Sequence, residues 1–481
     1  MIALRLGEIA DIVGGRLHGA DPATVVRGQV EFDSRKIRPG GLFLALAGEH
    51  VDGHDYVADA IGNGAVAALV TRPVDGPCIL TADGFAALAA LAAYVVRQLP
   101  GLIVVGITGS SGKTTTKDML AQILSAAGPT VAPPGSFNNE LGHPYTVLRA
   151  EQRTRFLVLE NSARGIGHIR YLTEIAPPLV GVELNVGSAH LGEFGSREAI
   201  AQAKGELVEA LPAGRDGGVA VLNADDPLVL AMAGRTGARI VTFGESPSAD
   251  VHAADVHHDE LGRPRFTIRA GGDTAQVHLN YPGRHSVGNA LAAVAAALAC
   301  GLSLAEAAAG IDEARPVSPW RMELTERNDG VLIVNDAYNA NPESMAAALH
   351  TLAELAGRRG ARGVAVLGAM AELGSAETDA HEAVGRLVAE LGVARLIAVG
   401  EGARPIERAA VLEGSWRGSA SWVADTDTAI AELRAELRPG DVVLVKASRA
   451  ASLERVALAI ADDARTAAEM DPTDGTGGSS A

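Results

Sequence analysis

The sequence contains few cysteines and lacks an obvious N-terminal targeting segment. Its two cysteines, Cys78 and Cys300, are far apart in a chain of 481 residues. Neither a disulfide framework nor a cysteine metal motif is therefore expected, and this cysteine usage fits a reducing cytoplasm. The first eight residues, MIALRLGE, do not place an apolar stretch after a basic one, which argues against a signal peptide.

Positive charge is also scarce, because 41 Lys and Arg residues face 58 Asp and Glu residues, for a net charge of −17. Nucleic-acid binding needs a basic surface, so we expect no nucleic-acid partner. The longest apolar helical segment, 289–300, is too short to cross a bilayer, so we expect no membrane insertion. What remains is a well-packed globular protein, long enough for two to four domains.

The strongest motif is the glycine-rich segment 106–116, GITGSSGKTTT. It follows the apolar run 102–105, which predicts a buried parallel strand. It precedes apolar residues at helical spacing in 119–124, and this helix is expected to stop before Gly128. A strand, a glycine-rich turn and a helix N-terminus together predict an anion-binding cradle.

In such a cradle Lys113 would reach the β- and γ-phosphates, and the Thr114 hydroxyl would ligate Mg²⁺. The usual phosphate-loop pattern has a glycine five residues before Gly112. Here Ile107 occupies that position, between two glycines that keep the backbone flexible. The residues expected to bind the nucleotide phosphates are Thr108, Gly109, Ser110, Ser111, Gly112, Lys113, Thr114 and Thr115.

Alternating strand and helix patterns divide the chain into three units. In residues 1–97, strand-like segments at 41–46 and 66–70 flank a short helix at 54–64. In residues 98–316, three strands lead to polar residues: to Glu160, to His190 and to the segment 223–226. Such strand ends lie along one ligand crevice in a doubly wound sheet. Residues 264–279 alternate around a Gly-Gly turn and predict an appended hairpin.

The third unit, residues 317–465, has short apolar strands near 332, 364, 396 and 442. Residues 466–481 are expected to form a disordered, polar, Gly-rich tail. The predicted fold class is therefore α/β with three domains. They are a central P-loop-type mononucleotide-binding doubly wound sheet, a C-terminal Rossmann-like α/β domain and a smaller N-terminal α/β domain.

Three residues of the central unit stay ambiguous when each is considered alone. A glutamate at a strand end, such as Glu160, is more often a solvated terminus or a helix cap. A lone histidine such as His190 is usually structural, and Lys204 would by default be a surface lysine on a helix. Only the phosphate loop earlier in the same sheet raises the expectation that Glu160 serves a metal.

A series of further motifs runs in order along nearly the whole chain. They are 106–117 (GITGSSGKTTTK), 185–191 (NVGSAHL), 201–206 (AQAKGE), 222–227 (LNADDP), 283–290 (GRHSVGNA), 320–323 (WRME) and 335–342 (NDAYNANP). In this order they resemble the Mur ligases, the ATP-dependent amide-forming enzymes of peptidoglycan assembly. An ordered series is far more specific than any one of its members.

Four segments, 136–142, 336–342, 372–374 and 445–450, resemble the family member that joins D-alanyl-D-alanine to UDP-MurNAc-tripeptide. The resemblance implies these two substrates, ATP as the energy source, and UDP-MurNAc-pentapeptide, ADP and phosphate as products. It also implies an acyl-phosphate intermediate and a role in cytoplasmic cell-wall precursor synthesis. We expect the enzyme to act as a monomer.

The resemblance also assigns roles to single residues. Lys113, Thr114 and Thr115 would hold the ATP phosphates and one Mg²⁺ ion. Glu160 and His190 would serve Mg²⁺ directly or through water. Lys204 would be carbamylated by CO₂, which places a carboxylate-like group near a second metal. That reaction needs a neutral amine, so the site must lower the pKa of Lys204.

The remaining implied contacts fall into two groups. For the nucleotide, Asn289 would meet the adenine, Arg321 would reach the nucleotide from the linker, and Asp336 would lie near the ribose. The implied substrate contacts are Ser34 and Arg35 for the UDP part, Asn138 and Asn139 for the muramoyl peptide, and Asn339, Asn341, Lys446, Ser448 and Arg449 towards the dipeptide. An incoming carboxylate favours a cationic clamp.

Three places depart from the family pattern. Asn161 and Ser162 stand where Met-Gly is usual, Trp320 replaces the usual Gly before Arg321, and Ala369 replaces a usual carboxylate. Other interpretations also remain. A related amide ligase is one, either the enzyme that adds the third residue of the peptide or a folylpolyglutamate synthase. The others are a catalytically silent nucleotide-binding relative and a P-loop NTPase switch, which would leave the outer units unexplained.

Overall fold

The computed structural model of the chain describes residues 1–48, 51–189 and 191–469. The N-terminal part contains two small sheets, ordered β1-β3 and β2-β7-β6-β5-β4. Its elements are β1 Leu4–Arg5, α1 Leu6–Ile12, β2 Arg16–His18, β3 Val25–Val26, β4 Val30–Glu31, β5 Gly41–Leu44, α2 Val57–Gly62, β6 Ala65–Val70, β7 Cys78–Leu80 and α3 Gly84–Arg97. The predicted strands at 41–46 and 66–70 are confirmed as β5 and β6, and the predicted helix at 54–64 as a 3₁₀ turn followed by α2.

The central part is built on a nine-stranded sheet ordered β16-β15-β14-β13-β12-β11-β8-β10-β9. Its strands are β8 Ile103–Thr108, β9 Thr130–Val131, β10 Phe156–Glu160, β11 Val180–Glu183, β12 Val219–Asn223, β13 Arg239–Gly244, β14 Val251–His258, β15 Pro264–Ala270 and β16 Asp273–His278. Its helices are α4 Lys113–Ala127, α5 Gly142–Val147, α6 His168–Ile175, α7 Leu191–Phe194, α8 Arg197–Lys204, α9 Glu206–Glu209, α10 Pro227–Leu230, α11 His285–Ala299 and α12 Leu304–Glu313.

The order of the central strands positions the phosphate loop. Strands β8 to β14 are parallel, and β15 and β16 form the predicted antiparallel hairpin. Strand β8 lies between β10 and β11, so the chain leaves it where the sheet order reverses, and such a switch point opens a crevice. One face of these strands packs Val105, Ile107 and Val182 into an apolar core that also holds α4 and α11.

The C-terminal part contains a six-stranded sheet ordered β17-β18-β22-β19-β20-β21. Its elements are β17 Glu323–Glu326, β18 Leu332–Asp336, α13 Pro342–Arg359, β19 Gly363–Leu367, α14 Glu377–Glu390, β20 Arg395–Val399, α15 Arg404–Leu412, β21 Ser419–Val423, α16 Thr426–Glu436, β22 Val442–Lys446 and α17 Glu454–Glu469. Only β17 is antiparallel to its neighbour. The four predicted strands are confirmed as β18, β19, β20 and β22.

The three sheet systems confirm the predicted α/β fold of three domains. Helix α17 continues past the expected border at residue 466 to Glu469. Residues 470–481 lie outside the described residues, so the disordered tail stays a prediction. Among the described residues no helix is long and apolar enough to cross a membrane. The apolar segment 289–300 forms most of α11, which is buried in the central core as a packing helix.

Candidate active site

A cavity of about 680 Å³ lies between the carboxyl ends of β8 and β10 and the C-terminal part of the chain. Most predicted site residues line it: Ser110, Ser111, Gly112, Lys113, Thr114, Thr115, Asn138, Asn139, Glu160, Asn289, Arg321, Asp336, Asn339, Asn341, Lys446, Ser448 and Arg449. Thr108, Gly109, Lys204, Ser34 and Arg35 do not line it. The predicted His190 lies outside the described residues.

The phosphate loop ends at Gly112, which is the N-cap of α4. Its φ of +81° lies in the left-handed region, where only glycine is at ease. A Cβ atom there would also lie 2.3 Å from Oδ1 of Asn289. No side chain caps α4, and its first turn carries no acidic residue. The amides of this turn are therefore available to an anion, which the helix dipole favours.

Asn185 braces the loop from the neighbouring strand. Its Oδ1 accepts hydrogen bonds from the backbone N–H groups of Ser110 and Ser111, at 3.0 and 2.9 Å. The backbone N–H of Gly187 donates to Oγ of Ser110 at 2.9 Å. The segment after β11 thus fixes the shape of the loop. Sequence reasoning placed Asn185 within a motif but gave it no role.

Lys113 folds back over the loop. Its Nζ donates to the carbonyl oxygen of Gly109 at 2.6 Å. Burial lowers the pKa of Lys113, while the nearby negative charge of Glu160 opposes that shift. The ammonium group therefore sits inside the cradle, facing the carboxylate at the end of the next strand.

Arg321 reaches the loop from the linker between the central and C-terminal sheets. Its Nη2 donates to Oγ of Ser136 at 2.7 Å, and that hydroxyl is 2.9 Å from Oγ1 of Thr114. The guanidinium also lies over the ring of Tyr338, 4.2 Å from its centroid. Arg321 is therefore oriented towards the phosphate end of the cavity. The sequence indicated Ser136 only as the first residue of the segment 136–142.

Glu160 is 1% exposed, and its Oε1 has no hydrogen-bond partner among the described residues. Its Oε2 accepts a hydrogen bond from Nδ2 of Asn138 at 3.3 Å. A buried carboxylate oxygen without a partner is unfavourable unless a cation or donor reaches it. The donor set of Glu160 and the Thr114 hydroxyl fits a hard cation such as Mg²⁺. Among the described residues, no cluster of three or more His, Cys, Asp and Glu side chains could hold a metal ion.

Lys204 ends helix α8 and is only 6% exposed. Burial and, to a smaller extent, the charge of Lys113 lower its pKa to about 7, although Glu183 opposes the shift. A substantial share of the amine is therefore neutral near neutral pH. This satisfies the chemical condition for a carbamate, which the resemblance implied.

Glu183 is a functional candidate that sequence reasoning missed. It is fully buried at the end of β11, and neither carboxylate oxygen has a partner among the described residues. Burial raises its pKa well above the ordinary value, and the charge of Lys204 acts in the opposite direction. The available signal was a single acidic residue inside the otherwise apolar segment 179–184.

On the opposite wall, Lys446 is already paired. Its Nζ donates to Oδ2 of Asp336 at 2.5 Å and to the carbonyl oxygen of Asn339 at 2.9 Å. The Ser448 hydroxyl accepts a hydrogen bond from the backbone N–H of Ala371 at 2.8 Å. Asp336 and Lys446 therefore neutralise each other, and Ser448 orders the loop after β19.

Asn341 has a structural role that the sequence did not predict. It is the N-cap of α13, where its Oδ1 accepts from the backbone N–H of Ser344 at 2.8 Å. Its Nδ2 also donates to the carbonyl oxygen of Ser110 at 3.3 Å. One side chain thus caps a helix of the C-terminal part and contacts the phosphate loop. A direct contact with substrate stays a prediction.

The N-terminal residues lie apart from the cavity. Arg35 is exposed, and its guanidinium is held by Asp33 at 2.9 Å; Ser34 is buried. The N-terminal part instead contacts the central part through a shared apolar cluster and through Tyr145, whose hydroxyl donates to Oε2 of Glu31 at 3.0 Å. The structure therefore does not join Ser34 and Arg35 to the phosphate loop, and their assignment to a UDP group stays a prediction.

Comparison with family models covers most of the chain. The Mur ligase family catalytic domain matches residues 28–91, the Mur ligase middle domain matches 107–297, and the Mur ligase glutamate ligase domain matches 320–449. The middle-domain match includes the phosphate loop and Glu160, and the last match includes Lys446 and Arg449.

Curated relatives agree with this family assignment. The chain is 51% identical to a Mycobacterium tuberculosis UDP-N-acetylmuramoyl-tripeptide--D-alanyl-D-alanine ligase, across 96% of this chain and 99% of the relative. The ligase of that name from Escherichia coli is 37% identical, with the same coverage of both chains.

Two crystal structures extend the likeness to the whole fold. MurF from Acinetobacter baumannii has a TM-score of 0.85 and 32% identity, covering 96% of this chain and 99% of that one. MurF ligase from Thermotoga maritima in complex with ADP has a TM-score of 0.78 and 30% identity, covering 92% and 99%. Sequence, fold and the geometry of the phosphate loop lead to one conclusion: the chain belongs to the Mur ligase family.

Proposed function

We propose that this chain is an ATP-dependent ligase that joins D-alanyl-D-alanine to UDP-MurNAc-tripeptide. The products are UDP-MurNAc-pentapeptide, ADP and phosphate, in the synthesis of peptidoglycan precursors. The observation that carries this proposal is the 51% identity to ligases of this name across nearly the full length of both chains. The cavity supports it, since a phosphate loop faces the basic residues Lys446 and Arg449 across one space.

The chemistry requires activation of the tripeptide carboxylate. A carboxylate oxygen attacks the γ-phosphorus of ATP, the bond to the β-phosphate oxygen breaks, and ADP leaves. The amine nitrogen of the dipeptide then attacks the acyl carbon, phosphate leaves with the carboxylate oxygen, and the amine loses a proton to a base or to solvent. The residues of the cavity position these groups and neutralise their charge.

The nucleotide contacts belong to this proposal. Residues 108–115 form the phosphate-binding segment, in which the uncapped backbone N–H groups at the start of α4 would bind the phosphates. Lys113 would neutralise the charge that builds up between the two anionic substrates. Arg321 supports the phosphate end through Ser136. Asn289 packs against Gly112, and its contact with adenine, like that of Asp336 with ribose, is part of the same proposal.

Mg²⁺ and a lysine carbamate complete the proposed site. Thr114, Glu160, His190 and carbamylated Lys204 would hold the metal, directly or through water. When bound, Mg²⁺ neutralises the charge between carboxylate and triphosphate. Glu160 supports this assignment through its unpartnered buried oxygen, and Lys204 through its lowered pKa. His190 rests on the family resemblance alone.

The remaining assignments complete the proposal. Asn138 and Asn139 face the muramoyl peptide, and Asn339, Asn341, Lys446, Ser448 and Arg449 form the dipeptide side. Ser34 and Arg35 bind the UDP part. We place the domain borders at 1–97, 98–316 and 317–465, and propose a cytoplasmic monomer. Movement of the C-terminal domain onto the central one would exclude water from the acyl phosphate.

An oxygen-labelling experiment tests the reaction directly. UDP-MurNAc-tripeptide carrying ¹⁸O in its terminal carboxylate is incubated with ATP, Mg²⁺ and D-Ala-D-Ala. Each phosphate released should carry one ¹⁸O atom, and release should depend on the dipeptide. Lys113→Ala should abolish turnover, whereas Arg386→Ala, on the exposed side of α14, should not. Unlabelled phosphate or full activity of Lys113→Ala would contradict the mechanism. Turnover with a different amine in a substrate panel would favour a related ligase.

A further inference from the structure

Trp320 has an unusual backbone conformation for its size. Its φ is +58°, in the left-handed region where a bulky side chain is strained and glycine is not. The conformation is fixed by its neighbours: its N–H donates to Oε2 of Glu323, and its carbonyl accepts from the N–H of Tyr338, both at 3.1 Å. The family pattern has glycine here. Because a tryptophan is kept at a position where its backbone is strained, we expect its indole ring to have a function.

The indole contacts Arg449. The guanidinium carbon of Arg449 lies 4.5 Å from the centroid of the Trp320 ring, a cation–π contact. Nη1 of the same arginine pairs with Oε1 of Glu454 at 2.6 Å. Arg449 is a long side chain that is 52% exposed, and these two contacts restrict how its guanidinium can turn.

Arg449 lines this wall of the cavity with a half-exposed guanidinium, although it too has an acidic partner, Glu454. Lys446 is neutralised by Asp336, and Arg321 donates to Ser136 at the phosphate end. Among the described residues, the ion pair between Arg449 and Glu454 uses one terminal nitrogen of the guanidinium. The other N–H groups can bind a carboxylate in the forked geometry that a guanidinium provides, but only if the fork is correctly oriented.

We propose that Trp320 is a positioning residue for the amine substrate: its indole holds the Arg449 guanidinium in the orientation that receives the carboxylate of D-alanyl-D-alanine. This inference rests on the proposed function, in which Arg449 belongs to the dipeptide side. Trp320 does not line the cavity itself, so it acts through Arg449 rather than on the substrate. Trp320 therefore contributes to the affinity for D-alanyl-D-alanine and not to the affinity for ATP or UDP-MurNAc-tripeptide.

Steady-state kinetics with each substrate varied in turn test the proposal. Trp320→Gly should raise KM for D-Ala-D-Ala by about two- to fivefold, the range that a lost cation–π contact gives at a half-exposed site. KM for ATP and kcat should stay within about twofold. Its melting temperature should be unchanged or higher, because glycine relieves the strain. Trp320→Phe, which keeps an aromatic face, should restore most of the affinity.

Two controls separate this role from a general structural one. Trp422→Phe alters another tryptophan stacked under an arginine, Arg404 at 4.8 Å, which does not line the cavity, and it should leave all KM values unchanged. In an Arg449→Ala background, Trp320→Gly should add no further loss, because the two residues act as one unit. If Trp320→Gly does not fold, Trp320→Leu takes its place with the same expected kinetics.

The outcomes that overturn the inference are distinct from those that overturn the function. A wild-type enzyme that turns over D-Ala-D-Ala, with an unchanged dipeptide KM in Trp320→Gly, would refute the inference alone. So would an equal rise in the KM values of ATP and dipeptide, or additive losses in the double variant. A wild-type enzyme without activity on D-Ala-D-Ala would refute the proposed function and the inference together.

Discussion

The side chains that matter most in this site are buried acids that the protein itself does not satisfy. Glu160 ends β10 and Glu183 ends β11, the two strands that flank β8. Together the two side chains have three carboxylate oxygens without partners among the described residues. Burial of such groups costs free energy unless a ligand or proton compensates. For Glu160, close to Lys113 and the phosphate loop, we propose that a bound cation provides the compensation.

The first prediction concerns Glu160→Gln. The amide keeps the size of the side chain but removes the negative charge that would attract Mg²⁺, so turnover should fall by at least about 100-fold. The melting temperature should not fall, because a neutral group is easier to bury. Phosphate release measured over a Mg²⁺ titration, beside the exposed control Glu390→Gln, checks this. Activity within twofold of wild type would remove Glu160 from the metal site.

Lys204 gives a prediction about pH. Its pKa is lowered to about 7 by burial, so the amine becomes neutral and able to react with CO₂ as the pH rises through that value. A ¹³C carbamate signal from ¹³C-bicarbonate should therefore grow between about pH 6 and pH 8, and should be absent in Lys204→Arg. A signal independent of pH, or equal in the variant, would contradict the assignment.

The lowered pKa of Lys204 also makes the free energy of unfolding depend on pH. Between about pH 7 and the ordinary lysine pKa of 10.5, the unfolded chain binds a proton at Lys204 that the folded protein does not. The free energy of unfolding should therefore increase with pH over this window. Below the window the buried, protonated Lys204 should destabilise the folded protein to the full extent. In chemical denaturation at pH 7 and pH 9, Lys204→Met should lose part of the increase that wild type shows. An identical increase in both would refute the shift.

At the scale of elements, the N-terminus of α13 joins two domains. Glu343, in its first turn, accepts hydrogen bonds from the N–H and hydroxyl groups of Ser188 at 2.8 and 3.1 Å. Ser188 follows Asn185, which braces the phosphate loop, and Asn341 contacts Ser110 of that loop directly. The start of α13 is thus hydrogen-bonded both to the phosphate loop and to the segment that braces it, which couples the C-terminal domain to the loop.

We predict that Glu343→Ala weakens this contact. The variant loses both hydrogen bonds to Ser188, so closure of the C-terminal domain should be less complete and kcat should fall by about tenfold. Small-angle scattering with an ATP analogue and UDP-MurNAc-tripeptide should show less compaction than in wild type. Glu390→Ala, exposed at the end of α14, serves as control. Normal compaction together with normal kcat would show that the contact is dispensable.

Elements were easier to predict from the sequence than the contacts between them. Strands such as β8 and β19 are short apolar runs bounded by glycine or polar residues, which is a local pattern. β19 lies where the pattern placed it, whereas β8 runs from Ile103 to Thr108 and so continues three residues beyond the predicted segment 102–105. The pairing of Arg321 with Ser136 joins residues far apart in sequence, and no local pattern encodes it. Glu183 was missed because a charged residue inside a buried strand contradicts the rule that defines the strand.

At the scale of the whole molecule, the cavity lies between the central and C-terminal domains, and the N-terminal domain packs against the central one. The phosphate loop and Glu160 come from the central sheet, whereas Lys446 and Arg449 come from the C-terminal sheet. The reacting carboxylate must therefore meet ATP and the amine where these walls face each other. The arrangement explains how one chain can hold two anionic substrates and a dipeptide together.

The central claim is that the turn after β8 holds the triphosphate that activates the carboxylate. A crystal structure of the wild-type protein with ADPNP and Mg²⁺ tests it most directly. We predict the β- and γ-phosphates against the backbone of residues 109–115, with Nζ of Lys113 released from the Gly109 carbonyl and turned to the phosphates. A nucleotide bound elsewhere, with this turn empty, would contradict the account.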